Sequence, residues 1–348
     1  MALTPIFDGH NDVLLRFWLK KSKTAADEFV VGDGLGQMDF PRIRAGNMVG
    51  GFFAIFSPPE PDFATNDDDL NPPPAGHVSQ RQALASTMAM LDLRDEIVRR
   101  AAGQIRLCLS IADVQQAILG GQLAWITHIE GAEAIALDLS NLQDLHDRGL
   151  RSLGPVWSRA NGFGEGVPFR FPCSPDTGAG LTEAGVALVR ACNQMRILID
   201  LSHITEKGFW DVARCSNAPL VATHSNVHVL ANSSRNLSNE QLLAIGESKG
   251  MVGLNYATGF LRADGRWSTD TAPSVMINHL EHMLKLAGED SVGLGSDFDG
   301  ARVPDFIKDC SGVENLISAM RDAGFGHERI EKIAYKNWLR VLEKTWAP

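Results

Sequence analysis

Histidine and carboxylate residues stand at the ends of several short apolar segments of this chain. Segment 7–12 reads FDGHND, and Asp8, His10 and Asp12 share one face of an extended backbone because residues two apart point the same way. Further apolar segments each end in one ionisable residue, in the order Glu130, His203, His224 and Asp297. Imidazole and carboxylate ligands without cysteine are typical of catalytic zinc sites, which keep positions open for water and substrate.

The number of these residues predicts two metal ions rather than one. Three histidines and several carboxylates exceed the three protein ligands that one catalytic zinc needs. Two cations about 3.5–4 Å apart would hold a shared hydroxide and polarise a carbonyl group. Glu130 is the expected bridge between them, because its segment lies between the others in chain order.

Each of these residues also has a structural interpretation. A histidine at a strand end is more often a satisfied structural residue than a metal ligand. The His-x-Asp spacing of His10 and Asp12 occurs by chance, and Asp297 could simply cap a following helix. The recurrence of such residues at five equivalent strand ends favours a joint metal site.

Three further residues are candidates for substrate binding. Arg235 lies in a loop that reads SSRN, where its planar guanidinium could grip a substrate carboxylate or tie down its own loop. Trp157 and Phe260 lie at the ends of the fourth and seventh predicted strands, where they could line a pocket or only pack.

The remaining ionisable residues are weaker candidates. His128 lies on the same strand face as Glu130, and we interpret it as a histidine of the barrel wall, with support of a metal ligand as the alternative. Asp299 shares a face with Asp297 and is expected to orient it or a metal-bound histidine. The other histidines fall in predicted loops or helices and are expected to be solvated, namely His77, His146, His228, His279, His282 and His327.

An alternation of strand and helix patterns over the whole chain must position these residues. The predicted strands cover residues 5–10, 51–56, 124–130, 150–157, 197–203, 220–224, 251–256 and 292–297. Such alternation predicts an α/β fold, and eight largely apolar strands favour a closed (β/α)8 TIM barrel over an open doubly wound sheet. The carboxyl ends of barrel strands converge on one site, which would gather the ionisable strand ends.

Amphipathic helices and two long loops complete the predicted domain, which spans residues 1–348. The helices are expected at 80–102, 181–193 with Thr182 as a cap, 205–215, 238–248, 273–287, 312–323 and about 327–344. The loops cover about 57–76, rich in Pro and Asp, and 161–180. Long loops are often lids or binding loops, and a surface excursion is the alternative.

Composition excludes several classes of protein. The chain has 348 residues, 44% of them hydrophobic and 21% charged, and its net charge of −10 would repel nucleic acids and anionic membranes. Five cysteines without a CxxC pair predict a reducing compartment. No signal peptide and no apolar run of membrane-spanning length is recognisable, so we expect a cytoplasmic protein.

The motifs, in this order, resemble those of the renal (membrane) dipeptidase family of the amidohydrolase superfamily. They are FDGHND at 7–12, IEG at 129–131, IDLSH at 199–203, THSN at 223–226, SRN at 234–236 and GSDFDG at 295–300. The resemblance implies a (β/α)8 barrel and a binuclear zinc peptidase. Such enzymes cleave dipeptides, often with a D-residue at the carboxyl end, by means of a metal-bridging hydroxide.

The resemblance also implies a role for each site residue and two Zn²⁺ ions per chain. His10 and Asp12 would hold one zinc, His203 and His224 the other, and Glu130 would bridge them. Asp297 would take up and deliver the proton, and Arg235 would bind the terminal carboxylate of the dipeptide. The family also implies a homodimer.

Two departures from the family pattern concern substrate recognition. Trp157 stands where family dipeptidases commonly have a histidine that hydrogen-bonds the scissile carbonyl; indole can donate a proton but cannot take up charge. Loss of one oxyanion donor typically costs on the order of a hundredfold in rate. Phe260 replaces a tyrosine that helps the arginine grip the carboxylate. Three hypotheses therefore stay open: a dipeptidase, a two-metal hydrolase of N-acyl amino acids or other non-dipeptide amides or esters, and a non-catalytic family member.

Overall fold

Parallel strands and intervening helices form a barrel in the computed structural model, which describes residues 3–59, 69–72 and 74–347. Its strands are β1 Ile6–Asn11, β2 Met48–Phe56, β3 Ile105–Leu107, β4 Leu123–Glu130, β5 Leu150–Gly154, β6 Leu198–Ile199, β7 Val221–Ser225, β8 Met251–Asn255 and β9 Val292–Gly295. Each of the eight predicted strands is present. Four of them, β5, β6, β8 and β9, end one to four residues before the predicted position, β2 and β4 end where expected, and β1 and β7 extend one residue further. Strand β2 also begins three residues earlier than predicted.

The strands are hydrogen-bonded in the order β6-β5-β4-β2-β1-β9-β8-β7, and the pairs are parallel. A parallel bridge between Asp200 and Val221 joins the two edges, which closes the barrel. This confirms the predicted (β/α)8 architecture. The short strand β3, which pairs with the first half of β4, was not predicted because three residues carry no measurable alternation.

Helices cover the outside of the barrel. They are α1 Val13–Leu19, α2 Ala25–Val31, α3 Phe40–Ala45, α4 Gln80–Arg100, α5 Ile111–Leu119, α6 Leu142–Asp147, α7 Glu183–Met195, α8 Glu206–Cys215, α9 Asn239–Glu247, α10 Thr258–Leu261, α11 Pro273–Ala287, α12 Val313–Asp322, α13 His327–Glu331 and α14 Asn337–Trp346. The Thr182 side chain accepts a hydrogen bond from the Gly185 amide and caps α7, as predicted. The helix expected at 327–344 is interrupted by a π-helical turn at Lys332–Lys336.

The amino-terminal end of the barrel is filled by apolar side chains. Phe7, Phe52 and Ile126 lie in a fully buried cluster with Trp338 of α14. The Trp338 indole donates a hydrogen bond of 2.9 Å to the Leu294 carbonyl oxygen. The interior at this end is therefore packed, and polar side chains can enter the barrel only at its carboxyl end.

Both predicted loops leave this carboxyl end. Residues 60–68 and 73 of the first loop lie outside the described residues, and its described parts contain no helix or strand. Segment 161–180 likewise contains only isolated bridges, one of which joins Gly166 to Ile204. Within the described residues, no helix combines the length and the apolar character needed to cross a membrane.

Candidate active site

The ionisable strand ends meet at the carboxyl end of the barrel. His10 lies near the end of β1, Glu130 is the last residue of β4, and His224 is the fourth residue of β7. His203 and Asp297 follow β6 and β9 by a few residues. The two histidine–carboxylate clusters are buried and Asp297 is half-buried, although the residues come from five different strands.

Glu130 lies between two clusters of ligand-type atoms. Its Oε1 atom is 2.9 Å from His203 Nε2 and 3.4 Å from His224 Nε2 on one side. On the other side it is 3.6 Å from His10 Nε2, which is 3.4 Å from Asp12 Oδ2. Ligand atoms of each group, His10–Asp12–Glu130 and Glu130–His203–His224, lie within 4.8 Å of one another.

The donor set fits a pair of divalent cations. Several of its buried atoms, His10 Nε2, Asp12 Oδ1 and Glu130 Oε1, have no hydrogen-bond partner, and such atoms are costly unless they bind something. The Nε2 atoms of His203 and His224 are only 3.0 Å apart, a separation typical of two ligands of one ion. The residues predicted as metal ligands are therefore brought together by the fold.

Burial and neighbouring charges shift the pKa values of the clustered histidines in opposite directions. Burial alone would lower the pKa of His10, but the charges of Glu130 and Asp12 outweigh it and raise this pKa to about 10. Burial raises the pKa of Glu130 well above its usual value, because a carboxylate is poorly solvated there. The pKa values of His203 and His224 are lowered, chiefly by burial, so these imidazoles are neutral and can act as ligands.

Asp297 reaches the same centre from a strained turn after β9. Its φ of 61° lies in the left-handed region, which non-glycine residues rarely adopt outside functional or tightly held sites. Asn255 Nδ2 donates a hydrogen bond of 2.9 Å to Asp297 Oδ2. A side chain at Gly300 would collide with both Asp12 Oδ2 and Asp297 Oδ1, so any other residue here would displace these carboxylates. Burial raises the pKa of Asp297.

Asp299 does not share a face with Asp297, and that prediction was wrong. Both residues have a left-handed backbone, with φ of 65° at Asp299, so the alternation of an extended strand does not continue past Gly295. The Asp299 carboxylate instead accepts hydrogen bonds from Arg16 Nε at 3.0 Å and from the Gln37 amide at 2.5 Å. It therefore holds the turn that carries Asp297, and does not touch the Asp297 carboxylate.

Arg235 lies directly beside the histidine pair. Its Nε donates to His203 Nδ1 at 3.1 Å, and its terminal nitrogens donate to Ser225 Oγ at 3.2 Å and to the His224 carbonyl oxygen at 3.0 Å. The guanidinium carbon is 5.7 Å from the centre of the Phe260 ring. Burial lowers the pKa of Arg235 to about 10, against the raising effect of Asp297, so it is still a cation at neutral pH.

Aromatic side chains form one wall of the site. The Trp157 ring centre is 5.7 Å from that of His203 and 5.4 Å from that of Phe169. Phe169 also lies 5.6 Å from Phe260, so it joins the two predicted residues. A cavity of about 340 Å³ opens here. Its lining includes Trp157, Phe169, Phe260, Trp267, Gly300 and Asp69.

Phe169 was missed by the sequence analysis, although its loop at 161–180 was singled out. The loop is fastened to the segment before Arg235, because the Ser234 amide donates to the Arg170 carbonyl oxygen at 3.1 Å. No periodicity marks such a residue, and only the length of the loop makes it a candidate binding loop. Asp69 and Leu70 of the other loop also line the cavity, so the described part of that loop reaches the site.

His128 and Asp8 lie deeper in the barrel than the two clusters. His128 Nδ1 is 2.9 Å from Ser152 Oγ and its Nε2 is 3.6 Å from Asp200 Oδ2, while burial lowers its pKa to about 4. It is the barrel-wall histidine that we expected, and its ring lies 5.5 Å from His10. Asp8 accepts hydrogen bonds from the Ser296 amide and hydroxyl and supports the turn before Asp297.

One of the histidines expected to be solvated is fully buried. His279 of α11 accepts a hydrogen bond from the Val227 amide at 3.1 Å on Nδ1 and donates one of 2.9 Å from Nε2 to the Leu261 carbonyl oxygen. The expectation was wrong because His279 lies on the face of α11 that packs against the barrel, and a helical sequence pattern alone does not show this. The other five are exposed or half-buried, as expected.

Comparisons with known proteins find a matching family profile and a similar bacterial protein. The profile of the family described as membrane dipeptidase (peptidase family M19) matches residues 1–347. An uncharacterized protein of the pqqA 5′ region of Klebsiella pneumoniae is 44% identical over 256 residues, which cover 74% of this chain and 94% of that protein.

Two solved structures are similar to this chain in both fold and sequence. One is a metallopeptidase from Rhodobacter sphaeroides in complex with a phosphinate mimic of the dipeptide L-Ala-D-Ala; it is 47% identical, with a TM-score of 0.96, over 99% of this chain and all of that one. The other is the dipeptidase AC, a metallopeptidase of family M19, which is 47% identical with a TM-score of 0.95 over the full length of both chains. A probable dipeptidase, PvdM from Pseudomonas aeruginosa, is 22% identical with a TM-score of 0.83 and shows the shared fold.

Proposed function

The chain belongs to the membrane dipeptidase family, peptidase family M19, and from this premise we propose that it is a two-zinc dipeptidase. The observation that carries the proposal is the position of Glu130 Oε1, which lies within 3.6 Å of the imidazoles of both ligand clusters. One carboxylate can bridge two ions only from such a position. The proposed catalytic unit is a single domain spanning residues 1–348.

In this proposal, His10 and Asp12 hold one Zn²⁺, His203 and His224 hold the other, and Glu130 contributes to both. A pair of divalent cations would lower the pKa of a shared water molecule toward about 7 and polarise the scissile carbonyl. His10, Asp12 and Glu130 each have a buried ligand-type atom without a hydrogen-bond partner, which supports this assignment. No cysteine belongs to either ligand cluster, which suits an open catalytic site.

Asp297 is the proposed proton carrier. Its Oδ2 is held by Asn255, and its remaining oxygen lies beside Gly300 and the Asp12 carboxylate, at the mouth of the ligand clusters. A carboxylate with a raised pKa accepts a proton more readily than an exposed one, and it can return that proton to the departing amine. The amine needs this proton because it is a poor leaving group without it.

Arg235 is proposed to bind the terminal carboxylate of the substrate, and Trp157 and Phe260 to line its pocket. The buried guanidinium lies beside His203 and packs near Phe260, so a carboxylate bound there would be close to the metal ligands. The Trp157 ring also lies beside His203, at 5.7 Å between ring centres. A free carboxylate at a fixed distance from the scissile bond would select short peptides.

The relative from Rhodobacter sphaeroides suggests the stereochemistry of the substrate. That protein was solved with a mimic of L-Ala-D-Ala, and it is 47% identical to this chain. We therefore propose L-Xaa-D-Xaa dipeptides as substrates.

The proposed location of the protein is the cytoplasm. The cysteines of the described residues are free, which supports this location. A homodimer stays a prediction.

Metal analysis and a substrate panel test the proposal together. Purified protein reconstituted with zinc should contain two zinc ions per chain and should hydrolyse L-Ala-D-Ala and related dipeptides. The panel also contains N-acyl amino acids and lactones. If only these compounds are hydrolysed, the protein is another two-metal hydrolase and not a dipeptidase. Well under one zinc per chain after reconstitution would contradict catalysis by two metals and favour a non-catalytic role.

A further inference from the structure

A buried chain of hydrogen bonds leads from His224 away from the ligand clusters. His224 Nδ1 is 2.8 Å from Thr223 Oγ1, and Thr223 Oγ1 is 2.6 Å from Asp200 Oδ2. Asp200, Thr223 and His224 are 3%, 0% and 0% exposed, so bulk water cannot replace these contacts. Asp200 and Thr223 have no role in the proposed reaction and do not reach the substrate cavity.

The protons in this chain can be counted. Asp200 accepts four hydrogen bonds: from the amides of Ser202 and Thr223 and from the Ser202 hydroxyl on Oδ1, and from the Thr223 hydroxyl on Oδ2. The single hydroxyl proton of Ser202 is used at 2.6 Å from Asp200 Oδ1, so Ser202 has none left for Thr223. The shortest contact of the Thr223 hydroxyl is the one of 2.6 Å to Asp200 Oδ2, which is also its only carboxylate partner. We therefore direct the Thr223 proton to Asp200.

The count predicts the tautomer of His224. Since the Thr223 hydroxyl proton is directed to Asp200, Thr223 Oγ1 can only accept from His224, and Nδ1 must therefore carry the imidazole proton. A neutral imidazole has one proton, so the lone pair is left on Nε2. That atom is 3.4 Å from Glu130 Oε1 and 3.0 Å from His203 Nε2, on the side of the ligand cluster.

We propose that Thr223 is a positioning residue for His224. Its hydroxyl donates to Asp200 and accepts the Nδ1 proton of His224, so that the Nε2 lone pair of His224 stays available for a metal ion. The inference rests on the proposed function, because it takes His224 as a ligand. Outer groups that hold a metal-bound histidine typically contribute 10- to 100-fold to metal affinity. His203 lacks such an arrangement: its Nδ1 lies 2.8 Å from Ser158 Oγ and also 3.1 Å from Arg235 Nε, which can only donate.

Two substitutions of Thr223 distinguish the effect of its hydroxyl group from the effect of its side-chain shape. Thr223→Val keeps the shape of the side chain and removes the hydroxyl, whereas Thr223→Ser keeps the hydroxyl. Each protein is stripped with a chelator and titrated with Zn²⁺ against a chromogenic chelator. We expect wild type and Thr223→Ser to bind two ions with similar affinities, and Thr223→Val to bind one of them 10- to 100-fold more weakly. Wild-type affinity for both ions in a folded Thr223→Val protein would overturn the inference.

A measurement on the wild-type protein does not depend on the folding of any variant. Nitrogen NMR of ¹⁵N-histidine-labelled, metal-free protein reports which ring nitrogen carries the proton, and the His224 signal is identified by its loss in His224→Asn. We expect the Nδ1–H form, and the Nε2–H form would overturn the inference. If wild-type protein binds no zinc at all, the proposed function fails; if it binds two and Thr223→Val does the same, only the inference about Thr223 fails.

Discussion

At the scale of single residues, the carboxylates of the site differ through their surroundings rather than their chemistry. Glu130 lies between the imidazole of His10 on one side and those of His203 and His224 on the other. Asp297 is instead held at one oxygen by Asn255. Burial raises the pKa of both side chains. A shared ligand and a proton carrier can thus be built from the same functional group by position alone.

Asp297→Asn should keep both metals and lose most of its turnover. An amide can accept the hydrogen bond from Asn255 but cannot take up and return a proton, and general acid–base groups typically contribute 10²–10⁴-fold. The measurements are kcat on L-Ala-D-Ala and the zinc content of the same sample. Asp305→Asn, which changes an exposed carboxylate of the same connection after β9, is the matched control and should behave as wild type. Near wild-type kcat in Asp297→Asn would disprove the role.

At the scale of elements, the loops above the barrel are held by buried polar contacts from the helices. Asp299 ties the turn after β9 to α1 through Arg16. His279 ties α11 to the loop after β7 and to α10, because its two nitrogens bind the Val227 amide and the Leu261 carbonyl oxygen. The loop carries Arg235 and the helix carries Phe260, so the positions of the proposed substrate-binding residues depend on contacts remote from the proposed metal ligands.

The buried His279 should make stability depend on pH. Burial, opposed by the hydrogen bond to Leu261, lowers its pKa from 6.5 to about 4, so the folded state resists protonation. Above pH 6.5 the residue is neutral in both states. As the pH falls from 6.5 to about 4 only the unfolded state gains the proton, which removes up to about 3 kcal/mol of stability.

Denaturant unfolding at several pH values measures this effect. His279→Gln removes the titrating group, so its free energy of unfolding should be lower at pH 7 but should fall less steeply toward pH 4.5. The difference between the two curves isolates His279 from other buried histidines. Parallel curves for wild type and His279→Gln would show that this residue does not contribute to the acid sensitivity.

At the scale of the whole molecule, the barrel brings together ligands that are far apart along the chain. The proposed ligands extend from His10 to His224, and the strands that carry them are neighbours or lie across the barrel from one another. A metal ion that binds such a set binds the folded chain only. Metal binding and folding of the barrel are therefore thermodynamically linked.

Chelation should accordingly lower the thermal midpoint, and added zinc should restore it. A ligand at 100 times its Kd stabilises a protein by about 2.7 kcal/mol per site. Scanning calorimetry before and after chelation, with metal analysis of each sample, gives the shift. Glu130→Gln weakens the shared ligand and should show a much smaller shift. An unchanged midpoint in wild-type protein from which zinc has been removed would contradict this linkage.

The sequence by itself determined the strands of the barrel and the residues at their ends. Apolar segments of strand length, separated by helical patterns, fixed eight of the nine strands in the described residues. Because the carboxyl ends of parallel barrel strands meet, the positions of His10, Glu130, His203 and His224 in the sequence were enough to predict that they converge. Local periodicity is sufficient for such features.

Only the tertiary structure decided how the rest of the site is built. Phe169 joins the aromatic wall, Asp299 turns toward Arg16, and His279 is buried, and none of these contacts follows from local sequence. Asp200 and Thr223 stood in the recognised motifs, but their role depends on which donors surround one carboxylate. The physical reason is that loops and left-handed turns have no periodicity, so their side chains are oriented by partners distant in the chain.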